Sequence, residues 1–142
     1  VPEPIDVKYT AHATAYGEGR SGHVTSDDDV LDLDLAVPTS MGGPGGDLTN
    51  PEQLFAAGYA ACFHSALKVV AQRSKVSAEG SIVAASVGIG QQGQGFGLTV
   101  ALQVTLPDLD PAEAQQLVEQ AHQVCPYSNA TRGNIEVALS VV

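Results

Sequence analysis

Positive charge is scarce in this chain. Its 142 residues include six lysines and arginines against 16 aspartates and glutamates, a formal net charge of −10 at pH 7. Six cations cannot coat a phosphate backbone, and the field around the protein repels polyanions, so nucleic acid and anionic membrane are excluded as expected partners. Cysteine is scarcer still, with only Cys62 and Cys125 present. Two are too few for the disulfide framework of a small secreted domain, and the expectation is a cytoplasmic protein with reduced thiols. No run of about 18 apolar residues is free of polar interruption. The opening Val1-Pro2-Glu3-Pro4 has no basic stretch leading into an apolar one. Neither a membrane span nor an export signal is therefore expected. Internal repeats, heptads and low-complexity tails are also missing. The length and the 44% hydrophobic content suit one domain over residues 1–142 and are too little for two independent cores.

What is present is patterned as an α+β fold. Over residues 7–16, Val7, Tyr9, Ala11, Ala13 and Ala15 share one face while Lys8, Thr10, His12 and Thr14 share the other, the period of a half-buried strand. Gly17-Glu18-Gly19 interrupts it, and residues 20–25 return as the second arm of a hairpin with Arg20 at the corner. Ser26-Asp27-Asp28-Asp29 reads as a solvated turn before a third strand, 30–37, in which Leu31, Leu33 and Leu35 alternate with Asp32 and Asp34. Residues 38–47, rich in glycine around Met41, form a loop.

A long helix follows. Asn50 is placed to cap it, Pro51 suits the first helical position, and Gln53 completes a capping-box pattern, so the helix should run from Pro51 to about Ser74. Leu54, Phe55, Gly58, Ala61, Cys62, Ser65, Ala66 and Val69 recur at helical spacing, which predicts a mostly buried helix. Residues 81–89 and 96–106 read as two strands joined by a turn over 90–95. Asp110 and Pro111 start a second helix to Val124 with Ala114, Leu117, Val118 and Ala121 on its inner face. Pro126 breaks that helix at Cys125, and a short helix to Thr131, Gly133 as its stop and a strand over 135–142 complete the chain.

Taken alone, Cys62 in an apolar helix reads as an inert buried thiol. Cys125, at a break beside proline with Ser128, Asn129, Thr131 and Arg132 nearby, offers a movable partner, the arrangement of a peroxide-reducing pair. A metal site is weighed and set aside: Cys62 and His64 lie on nearly opposite sides of one helix, leaving Cys62, His122 and Cys125 without a clear fourth ligand. His12 and His64 read as surface or structural histidines. No nucleophile elbow, phosphate loop or dinucleotide fingerprint is present.

Two segments go further. Asn50-Pro51-Glu52-Gln53-Leu54-Phe55-Ala56-Ala57-Gly58-Tyr59-Ala60-Ala61-Cys62-Phe63 and Val124-Cys125-Pro126-Tyr127-Ser128-Asn129-Ala130-Thr131-Arg132-Gly133-Asn134 resemble the signatures of the organic hydroperoxide resistance proteins, within the osmotically inducible protein C superfamily. The resemblance covers nearly the whole chain. It implies antiparallel sheets with a long buried central helix in an intertwined homodimer, with two active sites at the subunit interface. It implies a thiol peroxidase for alkyl and lipid hydroperoxides, with Cys62 as the peroxidatic and Cys125 as the resolving cysteine, and Arg20 and Glu52 as charged partners of the reactive thiol. No cofactor is implied as bound; the reductant is a lipoyl dithiol, either dihydrolipoamide or a lipoylated protein, rather than thioredoxin. The rival reading is a non-catalytic binding protein for apolar small molecules, with structural cysteines.

The physics of these positions is separable from the resemblance. A mid-helix thiol lacks the helix N-terminus that often favours thiolate, so a cation is needed, and Arg20 is the only candidate the resemblance supplies. Glu52 opposes thiolate formation by its charge, so its expected role is to hold the guanidinium in a bidentate pair; a carboxylate is also favourable in a helix's first turn in any case. Leu54, Phe55, Phe63 and the Met41 loop are expected to give the site an apolar surround.

Overall fold

A computed structural model of the protein describes residues 3–142. The chain divides into two compact units, one ending at Pro51 and one spanning Glu52–Val142.

The first unit is a three-stranded antiparallel sheet in the order β1 (Ala13–Tyr16), β2 (His23–Ser26), β3 (Asp32–Asp34). Tyr16 pairs with His23, and His23 in turn pairs with Asp34. The corner between β1 and β2 holds a short 3-10 turn, Gly19–Ser21, that carries Arg20. Gly22 closes it, because a Cβ there would sit 2.4 Å from the Tyr16 carbonyl oxygen. β1 is shorter than the strand predicted over 7–16. The alternation is real, but a strand also needs a hydrogen-bonded neighbour; the His12 carbonyl still accepts from the Asp27 amide at 3.1 Å, while residues 7–11 lie outside the β1–β2 ladder. Ile5, Val7 and Tyr9 are 85%, 64% and 81% exposed. β3 is likewise shorter than 30–37; Leu35 still donates to the Gly22 carbonyl at 2.9 Å but forms a parallel bridge with Thr49, to which Ala36 also bonds, and both side chains are buried.

His23, which the sequence did not single out, stands between two carboxylates. Its Nδ1 lies 2.6 Å from Asp34 Oδ1 and its Nε2 2.5 Å from Asp32 Oδ1. Only an imidazolium donates from both nitrogens, so the bonds to Asp34 and then Asp32 raise the His23 pKa above its ordinary value. A raised folded-state value means that the contribution to stability is complete below the unfolded histidine's pKa and is lost as pH rises through the folded one. Melting temperatures followed from about pH 6 to about pH 9 should therefore fall more steeply for the wild type than for His23→Gln. Parallel curves would remove this role.

The second unit is built on α1 (Pro51–Ser74), with β4 (Ile82–Gln92), β5 (Gly95–Thr105), α2 (Pro111–Val124), α3 (Pro126–Thr131) and β6 (Val137–Val141). The limits of α1 are those the sequence predicts, with Glu52 in the first turn and Arg73 in the last complementing the helix dipole. Its buried face differs from the predicted stripe: Tyr59, Phe63, Ala66, Leu67, Val70 and Ala71 are buried, while Ala61, Ser65 and Val69 are exposed. Apolar residues, six alanines among its 24 positions, occur around most of the helix, so spacing alone could not tell the inner face from the outer. By length and composition α1 could also cross a membrane, contrary to the sequence reading; its most apolar 18-residue window has a mean hydropathy of 1.4 and is 33% buried. Its inner face is nevertheless the core of this unit, packed with Val100, Leu102 and Val104 of β5 and Ala114, Leu117, Val118 and Ala121 of α2.

β4 and β5 pair antiparallel over eleven positions, and the turn predicted over 90–95 contracts to Gly93 and Gln94, with Gly93 at φ 58°. β6 then joins β5 in parallel, so this sheet is mixed rather than wholly antiparallel. A parallel return needs a crossover, and α2 with α3 supplies it. The start of α2 is capped as expected, the Asp110 carboxylate accepting the Glu113 amide proton at 2.9 Å.

Candidate active site

α2 ends at Val124 because Pro126 cannot donate the next helical hydrogen bond, and α3 begins at that proline. Cys125 lies between them in extended conformation (φ −61°, ψ 123°), closing one helix and opening the next. Its side chain is turned inward and wholly buried. Cys62, on α1, is partly exposed. The two Sγ atoms are 3.7 Å apart, in contact and unbonded. The fold thus brings together two cysteines 63 positions apart in sequence, one reachable from outside and one not.

Burial pushes the Cys62 thiol above its ordinary pKa; the backbone N–H of Tyr127 pulls it down, and the adjacent Cys125 raises it again. These groups leave the thiol protonated at neutral pH, which sharpens the need for a cation. Arg20 is half-buried in its 3-10 turn and Glu52 half-buried in the first turn of α1; each engages a neighbouring group.

Three aromatic rings, from α1 and α3, pack together. Tyr127 stacks on Phe55 with centroids 6.0 Å apart, and Tyr59 lies 5.6 Å from Tyr127 and 5.9 Å from Phe55. Gly58 permits this approach, since a Cβ there would come within 3.0 Å of the Tyr127 hydroxyl. Phe63, which the sequence reading put in the apolar surround, is fully buried in the core instead; Leu54 and Phe55 are half-buried, and Met41 lies in the first unit at 40% exposure.

The polar set that the sequence places beside Cys125 joins Tyr59 and His122 in one cluster, a junction that sequence reasoning missed. The Ser128 hydroxyl, fully buried, lies 2.7 Å from the Tyr59 hydroxyl and 2.8 Å from His122 Nδ1. Thr131 Oγ1 is 3.3 Å from the Tyr59 oxygen and donates to the Ser128 carbonyl at 3.1 Å. Arg132 donates to the His122 carbonyl at 2.5 Å and to Asn129 Oδ1 at 2.6 Å. Burial and then the Arg132 charge lower the His122 pKa, so the ring is neutral at pH 7. The polar run after Cys125 is the part visible in the sequence; Tyr59 carries no such signal. His64 hydrogen-bonds Ser81 at 2.9 Å. Among the described residues no group of three or more histidine, cysteine, aspartate or glutamate side chains is arranged to hold a metal ion.

Two small sheets, a long apolar helix bearing one cysteine and a broken helix bearing another define an OsmC-like protein, and the description of that family matches residues 43–140. An organic hydroperoxide resistance protein of Xanthomonas axonopodis pv. citri is 58% identical over 139 residues, 97% of both chains. Among solved structures, an organic hydroperoxide resistance protein of Legionella pneumophila is 52% identical, with a TM-score of 0.90 over 96% of this chain and 98% of its own. OhrB of Bacillus subtilis is 47% identical, with a TM-score of 0.85 over 94% and 98%. The chain belongs to the OsmC-like family, among its organic hydroperoxide resistance proteins.

Proposed function

We propose that this protein confers resistance to organic hydroperoxides by reducing them to alcohols with its two cysteines. The contact of a partly exposed Sγ with a buried one at 3.7 Å carries the reading. The names of the relatives supply the substrate class. In the first step the Cys62 thiolate attacks one peroxide oxygen; the S–O bond forms, the O–O bond breaks, and the alkoxide leaves with a proton as the alcohol. Sulfur is oxidised by two electrons to sulfenic acid. Cys125 then attacks Cys62, the S–S bond forms, and hydroxide leaves with the Cys125 proton as water. A lipoyl dithiol, free or protein-bound, returns both thiols by exchange and is itself oxidised to the cyclic disulfide.

Arg20 is assigned the role of the cation that favours the Cys62 thiolate, and Glu52 that of holding its guanidinium. The half-buried Leu54 and Phe55 support an apolar approach for the hydroperoxide tail. A homodimer belongs to the same reading, supported by the exposed apolar segment at Ile5, Val7 and Tyr9 and by the uncovered outer face of α1. Two free thiols in contact suit a reducing compartment, the cytoplasm. The sulfur contact also favours this reading over that of a binding protein with structural cysteines.

Initial rates with tert-butyl, cumene and fatty-acid hydroperoxides against hydrogen peroxide test the proposal. Burying even two methylenes contributes about 1.6 kcal/mol, so the organic peroxides should react at least about tenfold faster. Turnover should proceed with dihydrolipoamide and poorly with thioredoxin. Equal rates for hydrogen peroxide, or turnover with thioredoxin alone, would reject the corresponding part.

A further inference from the structure

We propose that Ser128, clasped between Tyr59 and His122, is the positioning residue that keeps Cys125 within closing distance of Cys62. The inference rests on the two-thiol reading above and assigns residues that this reading leaves without a role.

The three anchoring side chains are each three positions from a sulfur: Tyr59 from Cys62 on α1, His122 from Cys125 on α2, and Ser128 from Cys125 on α3. Three residues is close to one helical turn, so each anchor lies about one turn along the chain from the cysteine whose place it fixes. The break at Cys125 makes such anchors necessary. The Cys125 amide donates to Ala121 and the Cys125 carbonyl accepts from Asn129, both at 2.9 Å, so each backbone bond serves one helix only. The angle between α2 and α3 is therefore set by side chains. His122 with Ser128, together with Arg132 on the His122 carbonyl, closes that angle, and Tyr59 with Ser128 docks it on α1.

Proton counting shows a closed circuit. If His122 Nδ1–H donates to Ser128 Oγ, the serine hydroxyl donates to Tyr59, Tyr59 donates to Thr131 Oγ1, and Thr131 donates to the Ser128 carbonyl; every contact then has one proton and one acceptor. Tyr59 and Ser128 are wholly buried, so no water replaces a bond that is removed. The sulfurs, at 3.7 Å, must approach by roughly 1.7 Å to reach the ~2.05 Å of a disulfide. Side-chain rotation covers that gap while the break stays docked. Movement of α3 away from α1 would put it out of reach.

The test uses diamide, which takes two electrons from a thiol pair and becomes the hydrazine, so that closure is read without peroxide. Tyr59→Phe keeps the ring packing and removes one end of the clasp; Ser128→Ala removes the middle. Both should form the Cys62–Cys125 disulfide about tenfold more slowly than the wild type, and the double variant should be no slower than the slower single one. Alkylation of Cys62 by iodoacetamide should stay within about twofold, since the clasp does not touch that sulfur's own chemistry. Closure at the wild-type rate in a folded Tyr59→Phe protein, even with a lowered melting temperature, overturns the proposal. Slowed closure together with equally slowed alkylation overturns it too. A wild type that closes under diamide but consumes no hydroperoxide rejects the peroxidase reading, and slowed closure in the variants then still supports the clasp.

Discussion

Cys62→Ser is expected to abolish hydroperoxide consumption, a loss of at least about 10³-fold, whereas Cys125→Ser should consume one equivalent of hydroperoxide and stop. The asymmetry follows from exposure. Peroxide can reach the partly exposed Cys62 sulfur but not the buried Cys125 sulfur. Without Cys125, the oxidised Cys62 has no thiol at contact distance to displace its hydroxide, so sulfenic acid or a more oxidised form accumulates. Trapping with dimedone and mass spectrometry of the intact chain read both outcomes. The wild type should show a bond between the two cysteines within one chain. A bond between chains, or full activity in Cys62→Ser, would contradict the mechanism.

The second large effect is expected at Arg20. Burial holds the Cys62 proton in place, the Tyr127 amide opposes it, and the second thiol adds to the burial effect. A guanidinium at about 4 Å contributes roughly 4 kcal/mol at an effective dielectric near 20, before desolvation is subtracted. Arg20→Ala should therefore raise the Cys62 pKa and slow peroxide attack at neutral pH on the order of 10- to 100-fold. Glu52→Ala should also slow attack but leave the thiol titration where it was or lower, because a carboxylate never favours a nearby thiolate. Thiolate absorbance against pH separates the two. An unchanged titration in Arg20→Ala would remove its electrostatic role.

Punctuating residues were the legible part of this sequence. Pro51 and Asp110 mark the starts of α1 and α2, and Pro126 marks the break at Cys125, because each acts on the backbone next to it. The inner face of α2 was legible too: its glutamines and glutamates contrast with Ala114, Leu117, Val118 and Ala121. α1 offered no such contrast, and its predicted stripe met the core only in part, at Phe55, Cys62 and Ala66. The parallel direction of β6 was hidden because strand alternation reads the same in either direction. The sulfur contact was beyond spacing arguments, since it depends on how α1 and the α2–α3 break pack in three dimensions. Ser128 was legible as part of the polar set beside Cys125, but its bond to Tyr59 was not: a buried hydroxyl is recognised by its partner, and here the partner is 69 positions away.

The separation of the two cysteines along the chain has a thermodynamic consequence. A bond between Cys62 and Cys125 would tie off the chain across 63 positions, enclosing α1 from its middle, the whole β4–β5 hairpin and α2. Chain-entropy reasoning gives such a loop about 4 kcal/mol of stabilisation through the unfolded state, a sizeable fraction of the 5–15 kcal/mol that typically separates native from unfolded domains. The oxidised protein would then resist heat and proteolysis better than the reduced one, so that its lifetime would record how recently it had been reduced.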